Sequence, residues 1–447
     1  MTASGVRLLA RKPGDIVALC KSRPVAMEEF LAQVAGLAGM LPDAGPVINI
    51  CEDRYHFLVG FAAALSRGLT TLLPPSPLDE AVHAIWRSWR GSCVLIDEPR
   101  RALDAPVVNF DASVTGPIVN PAIPGSLLAA VAFTSGTTGS SVPQAKSWQS
   151  LVGSMETNLR YYYPVAPVPV VVVSTVPPQH MYGFETTILS ALRGQVTMHD
   201  GRPFYPANVA AALREAPAPR VLVSTPVHLR ALVASGLAFP QLARVLSATA
   251  PLETDLANEV EGAFGCEVTE IYGCTEVGSM AWRRPEYGQN WRFFEGFHAN
   301  VRDGSTEIVA AHLQSAVRLP DCIEFDADGG FKLVGRDSDI VKIGGKRTSL
   351  AEVTRLIMAI PGVDDAVVFR APDATDNTRL AALIVARDGS MDRSGVRAAL
   401  MPVLDPVFIP RPMHFVSVLP RGPTGKLQRD ALLQVFAEAT AVEAARG

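Results

Sequence analysis

The chain has 447 residues, 48% of them hydrophobic and 19% charged, which supports a large buried core and excludes a disordered chain. Forty basic residues stand against 44 acidic ones, a formal net charge of −4, and no basic block occurs. That balance argues against nucleic acid or an anionic membrane surface as a partner.

Apolar runs and helical patterns alternate along most of the chain. Pro46–Cys51 reads as a strand, Asp53–Arg67 as a helix and Leu69–Leu73 as a strand. The stretch Val165 to Val176 is the longest apolar run. It is broken by Pro167 and Pro169 and falls short of the roughly 20 residues that span a bilayer, so it predicts a loop followed by a buried strand. Leu127–Phe133, Gln195–His199, Arg220–Ser224, Arg244–Ser247 and Glu267–Tyr272 read as further strands. Helices are expected near Phe184–Arg193 and over Ala207–Glu215, Val227–Ser235 and Glu253–Phe264. This rhythm predicts α/β layers with mostly parallel strands and helices on both faces.

After about residue 290 the rhythm changes. Asp326-Ala327-Asp328-Gly329-Gly330 signals a turn between two strands. A compact tail follows, with helices over Leu350–Ala359 and near Ser394–Leu400 and strands over Ala366–Arg370 and Leu380–Ala386. The expected organisation is a large α/β domain over 1–335 and a small, mobile α+β domain over 337–447, hinged at 336–337.

The cysteines at 20, 51, 93, 266, 274 and 322 form no C-x-x-C pair, and no histidine stands at metal-ligand spacing from them. A zinc site or disulfide framework is not expected, and a reducing cytoplasm is. The N-terminal residues hold no apolar run of signal-peptide length.

Four segments carry candidate chemistry. Thr134-Ser135-Gly136-Thr137-Thr138-Gly139 follows an apolar strand, with Lys146 downstream. Small hydroxyl and glycine residues let backbone N–H groups crowd an anion, and a lysine adds a point charge. The spacing is not that of a P-loop, whose lysine directly follows its glycine, so a P-loop kinase is disfavoured. At a strand end lies Tyr272-Gly273-Cys274-Thr275-Glu276: the aromatic offers a flat face, Thr275 a donor, and Glu276 an oxygen ligand for Mg²⁺. Gly335-Arg336-Asp337 through Gly344-Gly345 and Pro423-Thr424-Gly425-Lys426 complete the set. Each segment alone also suits an ordinary solvated turn.

In this order and spacing, from about Leu127 to Leu432, they resemble the acyl-adenylate-forming superfamily: acyl-CoA synthetases, carrier-protein ligases, adenylation domains and luciferases. The resemblance implies that Thr134, Ser135, Gly136, Thr137, Thr138 and Gly139, with Lys146, hold the ATP β- and γ-phosphates. It implies that Tyr272 and Gly273 lie against adenine, beside Thr249 and Ala250 of the Ala248–Leu252 segment. Thr275 would contact phosphate, Glu276 would bind Mg²⁺, and Asp321 and Arg336 would bind ribose. Asp337 matches the hinge, and Lys426 the lysine that bridges substrate carboxylate and α-phosphate. His180, in Pro177-Pro178-Gln179-His180, matches the mouth of the acyl pocket, and His228 is a further candidate lining residue. That pocket is expected among His180–Glu185, Ser224–Val227, Ala248–Pro251 and Gly273–Ala281, and its mix of small and flat residues suits a compact planar acid.

The sequence departs from the pattern at three places. Ser140 through Ala145 lengthen the phosphate loop before Lys146, Leu319-Pro320 replaces the usual Thr-Gly before the ribose aspartate, and Thr249 stands where glycine is common. The short length and the stretch Val142 to Trp148 are similar to the compact aryl-acid ligases of aryl-polyene pigment clusters. The implied activity is ATP-dependent activation of a carboxylic acid, a small aryl acid, with pyrophosphate release and transfer to a thiol. The acceptor would be coenzyme A or the phosphopantetheine of a separate acyl carrier protein. The departures motivate an alternative: a non-catalytic nucleotide- or acyl-binding relative with a regulatory or scaffolding role.

Overall fold

The structure is a computed structural model that describes residues 5–98, 103–134, 142–166, 168–302, 305–336, 339–343, 346–371, 380–387, 391–421, 427 and 429–444. The chain folds into two compact units, one of residues 1–298 and 309–317, the other of 299–308 and 318–447.

In the first unit the apolar runs become two sheets. The larger has nine strands. Val268–Cys274, Arg244–Ser247, Arg220–Ser224, Val170–Ser174, Val196–His199 and Ile16–Cys20 lie side by side and parallel. Antiparallel strands Gly278–Arg283 and Arg292–Phe293 extend one edge, and Arg23–Ala26 the other. The six-stranded sheet is parallel from Leu128–Thr134 through Thr71–Leu73, Val47–Asn49 and Cys93–Ile96 to Val107–Asn109, with antiparallel Val142–Ser147 at its edge. Strands covered on both faces need continuous apolar sequence, and Val170–Ser174 is buried at every position.

Helix Arg54–Ser66 is apolar nearly all round and is buried over most of its length, as expected of a helix enclosed on all sides. Asp53 caps it, accepting from the backbone N–H groups of Tyr55 and His56. Its first residue, Arg54, donates to the carbonyls of Ser174 and Val176 at 2.9 and 3.0 Å and to the Thr187 hydroxyl at 3.2 Å. This helix, which links two strands of the six-stranded sheet, is thereby tied to the loop leaving the nine-stranded one.

The helical stretch expected near Phe184–Arg193 begins as Met181–Gly183, widens into a π-helix over Phe184–Leu189 and ends as Ser190–Arg193. Hydroxyls line the widened turn: Thr186 donates to the Tyr182 carbonyl, Thr187 to that of Gly183, and Ser190 to that of Glu185. Such back-bonding competes with the regular helical ladder. Helices Met27–Met40 and Trp148–Tyr162, which the apolar pattern did not single out, also pack in this unit.

The second unit has hairpin pairs and a small sheet. Asp321–Phe325 pairs antiparallel with Phe331–Arg336 around the expected turn at 326–330. Val363–Arg370, Leu380–Ala386 and Met413–Phe415 form a three-stranded sheet. Helices Leu350–Met358 and Arg393–Leu400 bury their apolar sides in its core, with Val353, Ile357, Val396 and Leu400 fully enclosed. The mixed α/β architecture matches the sequence expectation of layered sheets in a large unit and α+β in a small one.

Candidate active site

Parallel α/β sheets place ligand-contacting loops beyond the carboxyl ends of their strands, where the strand order reverses. Here the order reverses at Val170–Ser174, which lies between Arg220–Ser224 and Val196–His199. The loops that leave the carboxyl ends of this strand and of the strands on one side of it, at 175–180, 224–227, 248–251 and 274–277, hold residues singled out by sequence. The first two are joined directly, the hydroxyls of Thr175 and Ser224 being 3.0 Å apart.

Tyr272, Gly273, Thr275 and Glu276 lie on one hairpin. Strand Val268–Cys274 turns back into Gly278–Arg283, with a bulge between Tyr272 and Gly273. Gly273 is required sterically, since a Cβ there would stand 2.5 Å from the Gly278 carbonyl oxygen. Tyr272, Thr275 and Glu276 are half-buried. The Tyr272 ring lies 5.6 Å from that of Trp291, which in turn carries the Arg283 guanidinium 4.9 Å above its face. Burial and the charge of Glu276 push the Cys274 thiol up to about 12, so it is no nucleophile at neutral pH.

Thr249 and Ala250 follow strand Arg244–Ser247, the parallel neighbour of the Tyr272 strand. Thr249 has φ = +80°, in the left-handed region that favours glycine. The departure read from sequence is therefore also a strained backbone, of the kind that collects at functional sites. Just beyond it, the Leu252 N–H donates to Glu270 at 2.9 Å, and Glu270 meets Arg283 at 2.6 Å. This buried pair joins the 248–252 segment to the hairpin.

Lys146 stands on strand Val142–Ser147, and Thr134 ends the strand it pairs with. Ser135, Gly136, Thr137, Thr138 and Gly139, which join the two strands, lie outside the described residues. Lys146 is buried, and its Nζ donates to the Glu276 carbonyl at 2.5 Å, a contact between residues 130 positions apart. Burial holds its pKa below the ordinary lysine value, opposed by Glu185, Cys274 and Glu276. Two of the sequence motifs thus meet through one hydrogen bond.

His180 is half-buried and precedes the short helix Met181–Gly183, accepting from the Phe184 N–H at 2.7 Å through its carbonyl. His228 is 3.0 Å from the Thr225 hydroxyl and packs edge-on to Phe204; burial and Arg202 lower its pKa. In the second unit, Asp321 and Arg336 are register partners on adjacent antiparallel strands. Lys426, the hinge candidate Asp337, and Gly344 and Gly345 of the same motif lie outside the described residues. An isolated bridge joins Arg421 and Leu427, which flank the segment holding Lys426 in the sequence.

Sequence reasoning passed over His312, whose pKa burial and the charge of Lys146 lower to about 4. Its neighbourhood is fixed by Gly153, where a Cβ would stand 2.8 Å from the His312 Cβ. No periodic pattern marks this segment, and only the long-range packing reveals it. The Glu270–Arg283 pair was equally hidden, since nothing in a strand sequence says which partner a charge will find.

Among the described residues no group of three or more metal-ligating side chains converges. Glu276 supplies a single carboxylate at the open end of a strand. That donor set fits magnesium that arrives with a nucleotide and takes its other oxygens from phosphate and water.

The profile of the AMP-binding enzyme family matches residues 7–293, and that of the AMP-binding enzyme C-terminal domain matches residues 352–426. The chain belongs to the AMP-binding enzyme family. Among its relatives, 4-coumarate–CoA ligase-like 5 of Oryza sativa subsp. japonica is 28% identical over 463 residues, covering 95% of this chain and 81% of that protein. The 4-coumarate–CoA ligase of Halorhodospira halophila is 29% identical over 304 residues, 66% of this chain and 74% of that one. In fold, the chain is similar to ATP-bound MatB from Rhodopseudomonas palustris, with a TM-score of 0.81 at 20% identity over 95% of this chain and 96% of that one. It is similar also to o-succinylbenzoate coenzyme A synthetase (MenE) from Bacillus subtilis in complex with ATP and magnesium, with a TM-score of 0.80 at 17% identity over 94% and 96% of the two chains. No helix among the described residues is long and apolar enough to cross a membrane.

Proposed function

We propose that the protein is an ATP-dependent acid–thiol ligase: it joins a carboxylic acid to AMP with release of pyrophosphate and then passes the acyl group to a thiol. The observation that carries this reading is the hydrogen bond from Lys146 to the Glu276 carbonyl. It brings the strand pair around the hydroxyl- and glycine-rich loop against the turn that holds Thr275 and Glu276.

A carboxylate and a triphosphate repel, so the chemistry needs positive charge and fixed donors where negative charge builds. Thr275 would donate to phosphate, and Tyr272, backed by Trp291, would present its ring to the base. Asp321 and Arg336 would hold the ribose. Magnesium bound by Glu276 would neutralise the leaving pyrophosphate. Lys426 would attract the substrate carboxylate and the α-phosphate together. No protein nucleophile is needed, because the carboxylate itself attacks phosphorus; positioning supplies much of the acceleration.

For the acid, a compact aryl carboxylate is the best candidate. Curated relatives are named as ligases of 4-coumarate and, in Thauera aromatica, of 3- and 4-hydroxybenzoate. Here Tyr182 and Phe184 are buried beside Gly183, and Ala248 is small. Coenzyme A is the acceptor suggested by those names, and a separate carrier protein is the second. Thiol transfer would follow rotation of the small domain about Asp337, clearing Lys426 and bringing Gly344 and Gly345 to the thiol's path.

Acid-dependent ATP–pyrophosphate exchange over a panel of carboxylic acids tests the reading, repeated with coenzyme A and with a phosphopantetheinylated carrier. Exchange with aryl acids is the expected result. Its absence with every acid would leave the nucleotide-binding scaffold as the better account. Lys426→Ala should abolish exchange yet leave thioester formation from supplied acyl-adenylate largely intact; equal loss of both steps contradicts that division.

A further inference from the structure

A fully buried carboxylate stands behind the Thr275–Glu276 turn, and the reaction outlined above makes no use of it. Glu185 lies on the π-helical segment Phe184–Leu189 and is 0% exposed. Its Oε2 accepts from the Ser279 N–H at 3.0 Å, from the Ser279 hydroxyl at 2.6 Å and from the Tyr162 hydroxyl at 3.2 Å. Its Oε1 has no hydrogen-bond partner among the described residues. A Cβ on Gly278 would stand 2.5 Å from this oxygen, and Gly278 has φ = +95°. The carboxylate thus fills the space directly beneath the exit of the turn, and glycine is needed there both for its backbone and for its missing side chain.

A buried carboxylate with a bare oxygen is costly unless opposite charge compensates it. Burial pushes the Glu185 carboxyl up, opposed by its hydrogen bonds from Ser279, by Lys146 and by Tyr162, while the Lys146 Nζ grips the Glu276 carbonyl. The loop carrying Thr275 and Glu276 is therefore gripped at 276 and 279 by side chains from two other parts of the chain.

We propose that Glu185 is a positioning residue for the nucleotide. Acting through Ser279 and with Lys146, it sets the height of the turn so that the Thr275 hydroxyl and the Glu276 carboxylate meet the phosphates and their magnesium. This rests on the adenylation reading above. It goes beyond that reading in assigning work to a side chain that touches neither substrate nor metal.

The test compares Glu185→Gln, Glu185→Ala and Ser279→Ala with the wild type in the full chain. Three quantities are read: the Kd for ATP by titration calorimetry without acid, the Mg²⁺ concentration giving half-maximal pyrophosphate exchange, and the KM values for ATP and acid. Glu185→Gln keeps the shape but leaves one acceptor oxygen where the carboxyl group has two. It should weaken ATP binding and raise the Mg²⁺ requirement about tenfold, with the KM for the acid unchanged within about twofold and the thermal midpoint retained. Glu185→Ala should lose more, and Ser279→Ala less. ATP binding by Glu185→Gln equal to wild type, with a lowered thermal midpoint alone, would assign Glu185 to stability and overturn the proposal. Should the alanine variant fail to fold, the Gln and Ser279 variants still decide. A wild-type chain that binds ATP but exchanges with no acid would remove the adenylation reading, while the calorimetric comparison would still judge Glu185.

Discussion

Two acid–arginine pairs sit in different units of the chain and differ mainly in their access to water. Glu270 and Arg283 meet at 2.6 Å with their side chains 3% and 4% exposed. Asp365 and Arg421 form a two-bond fork at 2.6 and 2.7 Å with side chains 24% and 27% exposed. The first pair is enclosed: Arg283 also donates to Gln289 at 2.6 Å and to the Leu252 carbonyl at 3.1 Å, and its face lies on Trp291. It stitches together the segments that frame the proposed base site. The second involves Arg421, which precedes the segment holding Lys426 in the chain. Geometry alone ranks the pairs as equals. Burial separates them, because a charge left without its partner in the interior has no water to turn to.

Arg283→Met breaks the comparison most severely. Burial pushes the Glu270 carboxyl up to about 7 against the pull of Arg283, from an ordinary value of 4.5. The folded chain therefore holds this proton more tightly than the unfolded chain, so the group's contribution to stability falls as pH rises from about 4.5 toward 7. Without Arg283 the fall should steepen and extend to higher pH. Urea unfolding should show a loss of about 3–5 kcal/mol at pH 8 and a smaller one at pH 5. A loss that ignores pH would mean the damage comes from packing and not from stranded charge.

Asp365→Ala should cost about 1 kcal/mol or less by the same measurement, because nearby water screens the arginine left behind. Its informative effect is on exchange activity, which should slow if the fork steadies the segment carrying Lys426; an unchanged rate would separate the pair from the chemistry. Thr249→Gly sharpens the picture from the other side. Relief of the left-handed strain exceeds the extra freedom of glycine in the unfolded chain by a small margin, so a gain below about 1 kcal/mol is expected. A destabilised variant would show that the threonine side chain contributes more than its backbone angle costs.

Much of the architecture was legible because buried parallel strands demand unbroken apolar runs. Arg220–Ser224 and Arg244–Ser247 are each built around a run of valine and leucine. Helix Trp148–Tyr162 was harder to see. Trp148, Leu151, Val152 and Met155 recur at helical spacing, but Gly153 and Ser154 between them and Asn158 beyond are weak helix formers. The π-helical turn was not legible, since it depends on hydroxyls finding carbonyls at a distance that periodicity does not encode. Of the site, the parts readable were those whose chemistry is local: an aromatic beside glycine, a threonine beside glutamate. The grip on that turn by Lys146 and Glu185 comes from two distant segments, and a linear pattern holds no record of which side chain meets which.

The tie made by Arg54 bears on how this protein could change its choice of acid. The carbonyls of Ser174 and Val176 are pinned to it, and a Cβ on Gly183 would stand 2.2 Å from the Pro177 carbonyl oxygen. The main chain leading to His180 thus has little slack. A bulkier or slimmer substrate is better accommodated by trading side chains at positions such as Ala248 than by lengthening or bending the approach. Selectivity in this scaffold is open to drift by point mutation, while insertions into that approach would first have to undo a guanidinium locked inside the protein.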